Sequence, residues 1–277
     1  MPEHPFKQVD VFTQEPFQGN PLAVIFDADS LTGTHMQRIA RWTNLSETVF
    51  VQSSDKGDYR LRIFTPRTEL PFAGHPTIGA AHAAREAGIV LEEKTDFIQD
   101  CKAGPIPLRV EDDFILARVP RPKIKGLPSA SILTDVFGGA PLVEPMLVDV
   151  GPVWATTRLA DASRLYGLEI DFVTMAAFNV ESSSIGVNLY ALDNGEIHVR
   201  SFAPADGIPE DPVCGSGNAA VGAHIKATGF DAEIGRSYTA RQGSALGRDG
   251  RIRVRLDGED VFIGGNSVTV VNGAITV

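Results

Sequence analysis

Apolar residues along the chain gather in short runs rich in Val, Ile and Phe, a pattern typical of β-strands. The clearest runs cover residues 6–12, 22–26, 59–65 and 106–110. Few stretches place apolar residues at helical spacing. The pattern therefore predicts an α/β (α+β) protein in which strands outnumber helices.

Two helices are predicted in the first half of the chain. The first covers residues 34–42, where an apolar stripe recurs at helical spacing behind a Thr-rich start. The second is expected to open at Pro76, because proline suits the first helical position, and to stop at Gly88. Its many alanines predict that this helix is buried.

The order of these elements returns in the second half of the chain. Each copy runs from a strand ending in Phe-x-Pro, through a further proline, to a glycine that opens a helix of small residues. The matching positions are residues 62–66 and 200–204, Pro71 and Pro209, Gly74 and Gly215, His75 and Ser216, and Gly88 and Gly229. A shared order of this kind indicates an internal duplication.

A Pro-rich basic stretch at residues 120–128 separates the two copies and is interpreted as a linker. We therefore predict an N-terminal domain of residues 1–119 and a C-terminal domain of residues 129–265. The last strand, residues 266–277, is free to return to the first domain. Each domain is expected to be a curved mixed sheet around one central helix, with the starts of the two helices facing one cleft.

Composition and charge exclude several classes of function. The 277 residues are 43% hydrophobic and 22% charged, and no apolar run is long enough for a membrane span. The net charge of −10 and the scattered Lys and Arg argue against a nucleic-acid partner. Cys101 and Cys214 are expected to be free thiols rather than a disulfide or a metal site. Since no secretion signal opens the chain, we expect a cytoplasmic protein with a small organic substrate.

The two helix starts are the candidate binding sites. Backbone N–H groups in the first turn of a helix lack internal partners and lie at the positive end of its dipole, so they favour a carboxylate. Gly74-His75 and Gly215-Ser216 stand at these starts. His75 and Ser216 can add a side-chain hydrogen bond, although Ser216 taken alone is better explained as an N-cap.

Three residues beside the helix starts can carry a proton: Glu47, His75 and Asp211. Each also has a purely structural interpretation. Glu47 precedes a strand, where an isolated Glu is usually solvated. Asp211 suits a turn, and His75 suits a helix cap. The residue pattern leaves these alternatives open.

Several longer segments carry a resemblance that covers nearly the whole chain. They are Val9–Phe12, Phe17–Val24, Met36–Arg41, Asn44–Phe50, Ile63–Pro66, Glu69–Pro76, Glu210–Ser216, and Gln242-Gly243 with Gly247-Arg248. With these motifs the chain resembles the PhzF-like phenazine-biosynthesis isomerase family, which has the diaminopimelate epimerase fold. Asn-Leu-Ser-Glu-Thr and Glu-Leu-Pro-Phe-Ala-Gly-His-Pro are specific signatures.

The resemblance implies an isomerase that needs no metal and no organic cofactor. Glu47 corresponds to the family's general acid/base, assisted by His75, Asp211 and Ser216. The residues expected to bind a carboxylate-bearing substrate are Asn20, Gly74, His75, Gly215 and Ser216. The implied reaction moves a proton from one carbon to another, as in the isomerisation of dihydro-3-hydroxyanthranilate. The resemblance also implies a homodimer.

One position departs from the related amino-acid epimerases, which use two facing cysteines as acid and base. Here the first of these positions is Ala73, and the second is Cys214. A symmetric two-thiol mechanism is therefore excluded, whereas Cys214 as a second acid/base beside Glu47 stays open. The alternatives to the isomerase are an amino-acid epimerase or racemase and a non-catalytic small-molecule binding protein.

Overall fold

The computed structural model describes residues 2–112, 114–127 and 143–277. The chain divides into two compact units, Met1–Arg118 with Gly264–Val277 and Val119–Ile263. Two parts of the sequence prediction lie outside the described residues. These are Pro128 of the predicted linker and residues 129–142 of the predicted second domain.

The first unit is a mixed sheet with two α-helices among its described residues. Its strands are β1 (Glu3–Val11), β2 (Asn20–Ile25), β3 (Thr48–Gln52), β4 (Tyr59–Phe64), β5 (Glu69–Leu70), β6 (Asp96–Cys101), β7 (Gly104–Glu111), β8 (Phe114–Arg118) and β18 (Ser267–Thr276). Its helices are α1 (Gly33–Thr43) and α2 (Gly74–Glu86).

The second unit repeats this composition with additional short helices. Its strands are β9 (Lys123–Gly126), β10 (Met146–Asp149), β11 (Val153–Arg158), β12 (Gly186–Asp193), β13 (Glu196–Ala203), β14 (Ile208–Asp211), β15 (Ser237–Gln242), β16 (Gly250–Asp257) and β17 (Asp260–Gly265). Its helices are α3 (Ala162–Tyr166), α4 (Phe172–Ser182), α5 (Gly215–Ala227) and α6 (Asp231–Ile234).

The strand pairings of the two units follow the same scheme. In the first unit β1–β2, β3–β4 and β6–β7 are antiparallel, and β2–β3 and β4–β6 are parallel. In the second unit β10–β11, β12–β13 and β15–β16 are antiparallel, and β11–β12 and β13–β15 are parallel. An added antiparallel strand lies beside the first strand of each sheet, β18 beside β1 and β9 beside β10.

A buried helix lies at the centre of each unit. Ten of the 13 residues of α2 are buried, and the helix contacts β1, β2, β3, β4, β8 and β18. Gly79 allows this close approach, since a Cβ atom there would lie 2.6 Å from Val11 Cγ2 and 2.7 Å from Leu22 Cδ2. In the second unit α5 contacts β10, β11, β12 and β16 in the same way.

A second helix packs against the sheet in each unit. The Thr32 side chain caps α1 by accepting a hydrogen bond from His35 N, and Met36 and Ile39 pack with Phe50 and Phe64. In the second unit α4 begins behind Asp171, and its residues Met175 and Phe178 pack in the corresponding apolar cluster.

Three local predictions need correction. The second predicted helix begins at Gly74, two residues before Pro76, because Ala73 is extended and the chain turns helical directly after it. Part of the predicted linker is strand β9, since pairing with β10 satisfies its backbone groups. Helix α4 was not predicted, because its apolar residues lie all around the helix and give no clear stripe.

Candidate functional site

The side chains at the start of α2 form the candidate site of the first unit. We call this group the α2 site and define it as Asn20, Glu47, Gly74 and His75. His75 is the second residue of α2, and its side chain is 5% exposed. Its Nδ1 atom lies 3.4 Å from Oε2 of Glu47, whose side chain is 15% exposed. Glu47 is therefore not the solvated residue that one structural interpretation predicted.

The loops before β2 and β3 place Glu47 and Asn20. Asn44 ends α1 in the left-handed conformation, with φ of 54°, and turns the chain toward β3. Ser46 Oγ donates a hydrogen bond to Oδ1 of the buried Asn20 at 3.4 Å. Asp10 Oδ2 accepts a hydrogen bond from Gly19 N at 3.0 Å, next to Asn20. The loops that carry Asn20 and Glu47 are thus tied together.

His75 is neutral at physiological pH. Burial lowers the pKa of the His75 imidazole to about 3, against a smaller opposing effect of its hydrogen bond to the Pro21 carbonyl. The Nε2 atom of His75 is buried and makes no hydrogen bond to the described residues. A neutral ring beside Glu47 can orient the carboxyl group or accept a proton from a ligand, but it brings no positive charge.

The start of α2 has no side-chain cap. The N-cap residue is Ala73, which has no side-chain acceptor, and His75 lies inside the first turn. The capping role considered for His75 is therefore wrong. The first-turn N–H groups, beginning at Gly74, are left for other acceptors, as in helix starts that bind anions.

The side chains at the start of α5 form the candidate site of the second unit. We call this group the α5 site and define it as Asp211, Cys214, Gly215 and Ser216. Cys214 is the N-cap of α5, and its Sγ atom accepts a hydrogen bond from Gly217 N at 3.3 Å. Ser216 lies one position beyond Gly215 inside the first turn. The N-cap interpretation of Ser216 is therefore wrong.

The hydroxyl group of Ser216 has a partner that the sequence did not suggest. The indole Nε1 of Trp154 donates a hydrogen bond to Ser216 Oγ at 3.2 Å. The Cys214 Sγ atom lies 3.6 Å from the same oxygen. Ser216 is thus held by a buried aromatic side chain from β11.

Burial also sets the protonation of the α5 site. It raises the pKa of Asp211 to about 6, although hydrogen bonds from the Cys214 thiol and from Val213 N oppose the rise. Burial and the neighbouring Asp211 raise the pKa of Cys214 well above its ordinary value. The thiol is therefore protonated near neutral pH, while Asp211 is the group that titrates there.

Sequence reasoning gave no role to Gln242, although it belongs to one of the resemblance motifs. Its Oε1 atom accepts a hydrogen bond from Cys214 N at 3.1 Å, and its Nε2 atom donates to the Asp211 carbonyl at 3.0 Å. Asn218 Nδ2 donates to the same Oε1 at 2.7 Å. A buried amide on β15 thus joins both ends of the turn that leads into α5.

The structure therefore groups Glu47 with His75 in the first unit, and Asp211 with Cys214 and Ser216 in the second. Across the described ranges no cluster of three or more His, Cys, Asp or Glu side chains could hold a metal ion. No helix in the part of the chain that the structure describes is long and apolar enough to cross a membrane.

Sequence comparisons give the same assignment along the whole chain. A family model described as phenazine biosynthesis-like protein matches residues 9–273. Trans-2,3-dihydro-3-hydroxyanthranilate isomerase of Pseudomonas aeruginosa is 33% identical over 285 residues, covering 98% of each chain. A protein of Schizosaccharomyces pombe named antisense-enhancing sequence 1 is 40% identical over 294 residues, covering 99% of each chain.

Solved structures give the fold. A phenazine biosynthesis protein of the PhzF family from Bacillus anthracis superposes with a TM-score of 0.88 at 28% identity, covering 100% of both chains. A hydroxyproline epimerase from Agrobacterium vitis superposes with a TM-score of 0.67 at 14% identity, covering 99% of this chain and 92% of the other. The second likeness concerns the fold alone.

The protein is thus an α/β isomerase with the two-domain diaminopimelate epimerase-like fold, as predicted. The chain belongs to the phenazine biosynthesis-like family, also called the PhzF family, and acts on a small molecule. The family resemblance and the fold class drawn from the sequence are confirmed.

Proposed function

We propose that this isomerase moves a proton between two carbons of a small carboxylic acid, with Glu47 as the general acid/base. We assign assisting roles to His75, Asp211 and Ser216. A single carboxyl group that removes a proton and returns it elsewhere conserves both atoms and charge. The reaction therefore needs no external oxidant or reductant.

The observation that carries the proposal is the pair of Glu47 and His75 at the start of α2. Their side chains are mostly buried and approach to 3.4 Å. A carboxyl group in this setting is shielded from bulk water, and the neutral His75 ring does not hold it in a tight ion pair. Glu47 can therefore exchange a proton with a bound substrate. A positioned acid/base of this kind typically contributes a rate factor of about 10² to 10⁴.

The start of α5 supports a carboxylate as the common feature of the substrate. Gly215 and Ser216 present first-turn N–H groups, and the Ser216 hydroxyl group adds a side-chain donor. Because the Cys214 thiol is held protonated, we assign it the N-cap role and leave the proton transfer to Glu47. Asp211 has a pKa of about 6, so its protonation alters the charge near this helix start.

The relative from Pseudomonas aeruginosa suggests where to begin with substrates. It is named for trans-2,3-dihydro-3-hydroxyanthranilate, a cyclic carboxylic acid. We include this compound, other cyclohexadienyl carboxylic acids and a set of amino acids. We also expect a homodimer, as the family resemblance implies, and light scattering in solution tests that expectation.

The experiment is proton exchange in D₂O followed by NMR, with wild type, Glu47→Gln and Glu92→Gln side by side. Glu92 is exposed, so its variant controls for the loss of one carboxylate. We expect wild type and Glu92→Gln to incorporate deuterium and convert the substrate, and Glu47→Gln to lose at least 10²-fold in rate. The label position distinguishes isomerisation from epimerisation at one centre.

Two results would overturn the proposal. Full turnover by Glu47→Gln would move the proton transfer to another group, with Cys214 the next to test. Binding of these acids without any exchange in wild type would favour the non-catalytic binding protein.

A further inference from the structure

The position that corresponds to Glu47 in the second unit is Gly186. In the first unit Thr48 lies opposite Phe64 in the β3–β4 pairing. In the second unit Val187 lies opposite Phe202 in the equivalent β12–β13 pairing. The residues just before Thr48 and Val187 are Glu47 and Gly186. The two units therefore share the strand but not the acid.

A side chain at position 186 has no room. A Cβ atom on Gly186 would lie 2.2 Å from the Phe202 carbonyl oxygen and 2.5 Å from Cζ3 of Trp154. Trp154 is the register partner of Gly186 on the neighbouring strand, and it is 3% exposed. The indole ring thus lies against the backbone at the position where the first unit carries Glu47.

Trp154 contacts Ser216 at the start of α5, and Glu47 contacts His75 at the start of α2. Ser216 corresponds to His75 in the repeat, and the Trp154 Nε1 atom lies 3.2 Å from Ser216 Oγ. An indole N–H is a donor only, so the Ser216 oxygen must act as the acceptor. The hydroxyl proton of Ser216 is then directed away from Trp154 and is available to another acceptor.

Among the described residues, the acceptor recorded beside the Ser216 hydroxyl group is a weak one. Cys214 Sγ lies 3.6 Å from Ser216 Oγ, and it already accepts a hydrogen bond from Gly217 N. A carboxylate oxygen is a far stronger acceptor for a hydroxyl proton than a thiol sulfur. A ligand with an anionic or carbonyl oxygen at the start of α5 would therefore accept the hydrogen bond from the Ser216 hydroxyl group.

We propose that Trp154 is a positioning residue for substrate recognition. By donating to Ser216 Oγ it commits the Ser216 hydroxyl group to donate to a substrate carboxylate, and it selects for acceptor groups over donor groups such as an ammonium. This inference rests on the proposed function for the identity of the ligand. The hydrogen bond itself can be tested without any ligand.

The first test reads the hydrogen bond directly. The chain has two tryptophans, Trp154 and the 78% exposed Trp42, so indole ¹⁵N labelling gives two side-chain N–H signals. We expect Ser216→Ala to shift the Trp154 signal upfield and to leave the Trp42 signal in place. A Trp154 signal that does not move in Ser216→Ala would overturn the inference, whatever the substrate proves to be.

The second test reads recognition with trans-2,3-dihydro-3-hydroxyanthranilate as the probe. We expect Trp154→Phe, which keeps a buried ring, to raise KM about tenfold and to change kcat less than twofold. Trp42→Phe is the matched control and should leave both constants unchanged. Ser216→Ala should raise KM to a similar extent, and the double variant should be no worse than Ser216→Ala alone.

The outcomes of the second test separate the two proposals. Loss of kcat in Glu47→Gln with an unchanged KM in Trp154→Phe supports the proposed function and overturns the role of Trp154. Additive effects of the Trp154 and Ser216 variants also overturn it, because the two residues would then act independently. If the probe is inert with wild type, the proposed function fails for this compound and the NMR signal decides the inference.

Discussion

The two helix starts come from one repeated scaffold but carry opposite kinds of chemistry. At the α2 site a carboxyl group, Glu47, lies beside a neutral imidazole, His75. At the α5 site an indole donor, Trp154, holds the hydroxyl group of Ser216. The strand pairings around the two sites are the same.

Equivalent positions of the two units carry an acid in one and no side chain in the other. At the position that carries Glu47 in the first unit, the second unit has Gly186, and the Trp154 ring lies against it. The N-cap of α5 is Cys214, and burial raises the pKa of its thiol so that the thiol stays protonated.

The largest change in stability that we expect comes from introducing a side chain at Gly186. Gly186→Ala forces a Cβ atom against the Phe202 carbonyl and the Trp154 ring, so the free energy of unfolding should fall by about 3 kcal/mol. Urea unfolding measures the loss. Gly126→Ala in the same unit has open space around its Cβ position and should change stability by less than about 0.5 kcal/mol.

Equal stability of these two glycine variants would show that the indole can move away. The difference between the two helix starts would then be a matter of residue choice rather than of space.

The next effect compares two buried glutamines on corresponding strands of the repeat, Gln99 on β6 and Gln242 on β15. Gln242 joins the Cys214 N–H to the Asp211 carbonyl, whereas Gln99 bonds Thr77 Oγ1 and Tyr59. We expect Gln242→Met and Gln99→Met each to lose about 2 kcal/mol of stability, since both leave buried groups unpaired. Denaturant unfolding gives these values.

Activity distinguishes the two glutamines. Gln242→Met should also lower kcat/KM about tenfold at temperatures where the variant is fully folded. The reason is that the turn into α5 loses the hydrogen bonds that Gln242 makes to Cys214 and Asp211. Gln99→Met should keep its activity under the same conditions. Equal activity losses would contradict a specific role of Gln242 in the α5 site.

The two sites should also respond to acid in opposite directions. The pKa of His75 is about 3 in the folded protein and 6.5 as a free side chain, so the unfolded chain binds more protons between these values. Wild type should therefore lose stability as the pH falls below 6.5, by up to about 1.4 kcal/mol per pH unit. Relative to His75→Gln, the loss should be about 1.6 kcal/mol between pH 6.5 and 5.

Asp211 gives the contrasting slope. Its pKa is raised from 3.8 to about 6, so the folded protein binds the extra proton, and stability is lost as the pH rises from 3.8 through 6. Because the pKa shift of Asp211 covers a narrower pH range than that of His75, we expect a smaller total change in stability, seen as wild type minus Asp211→Asn. Parallel slopes for the two variants would contradict these protonation states.

Much of the fold follows from patterns that are local in the chain. Short apolar runs indicated the strands, and alanine-rich stretches ending at Gly88 and Gly229 indicated the central helices. Both glycines adopt positive φ beyond the helix ends, as such stops require. The repeat of these patterns was readable because duplication preserved their order.

Element boundaries and unpatterned elements were not readable in this way. Strand β9 looked like a linker because proline and basic residues surround it, and only pairing with β10 makes it a strand. Helix α4 has apolar residues on several faces, so periodicity gave no signal. In both cases a partner distant in the sequence decides the outcome.

The sequence by itself determined the duplication, the family, and the identities of the acid/base candidates, because these depend on residue type and order. Only the tertiary structure decided which candidates touch. It placed His75 beside Glu47, made Cys214 rather than Ser216 the cap of α5, and brought Trp154 and Gln242 to that helix. Contacts between strands and helix starts depend on register and packing, and these arise from pairings between segments far apart in the chain.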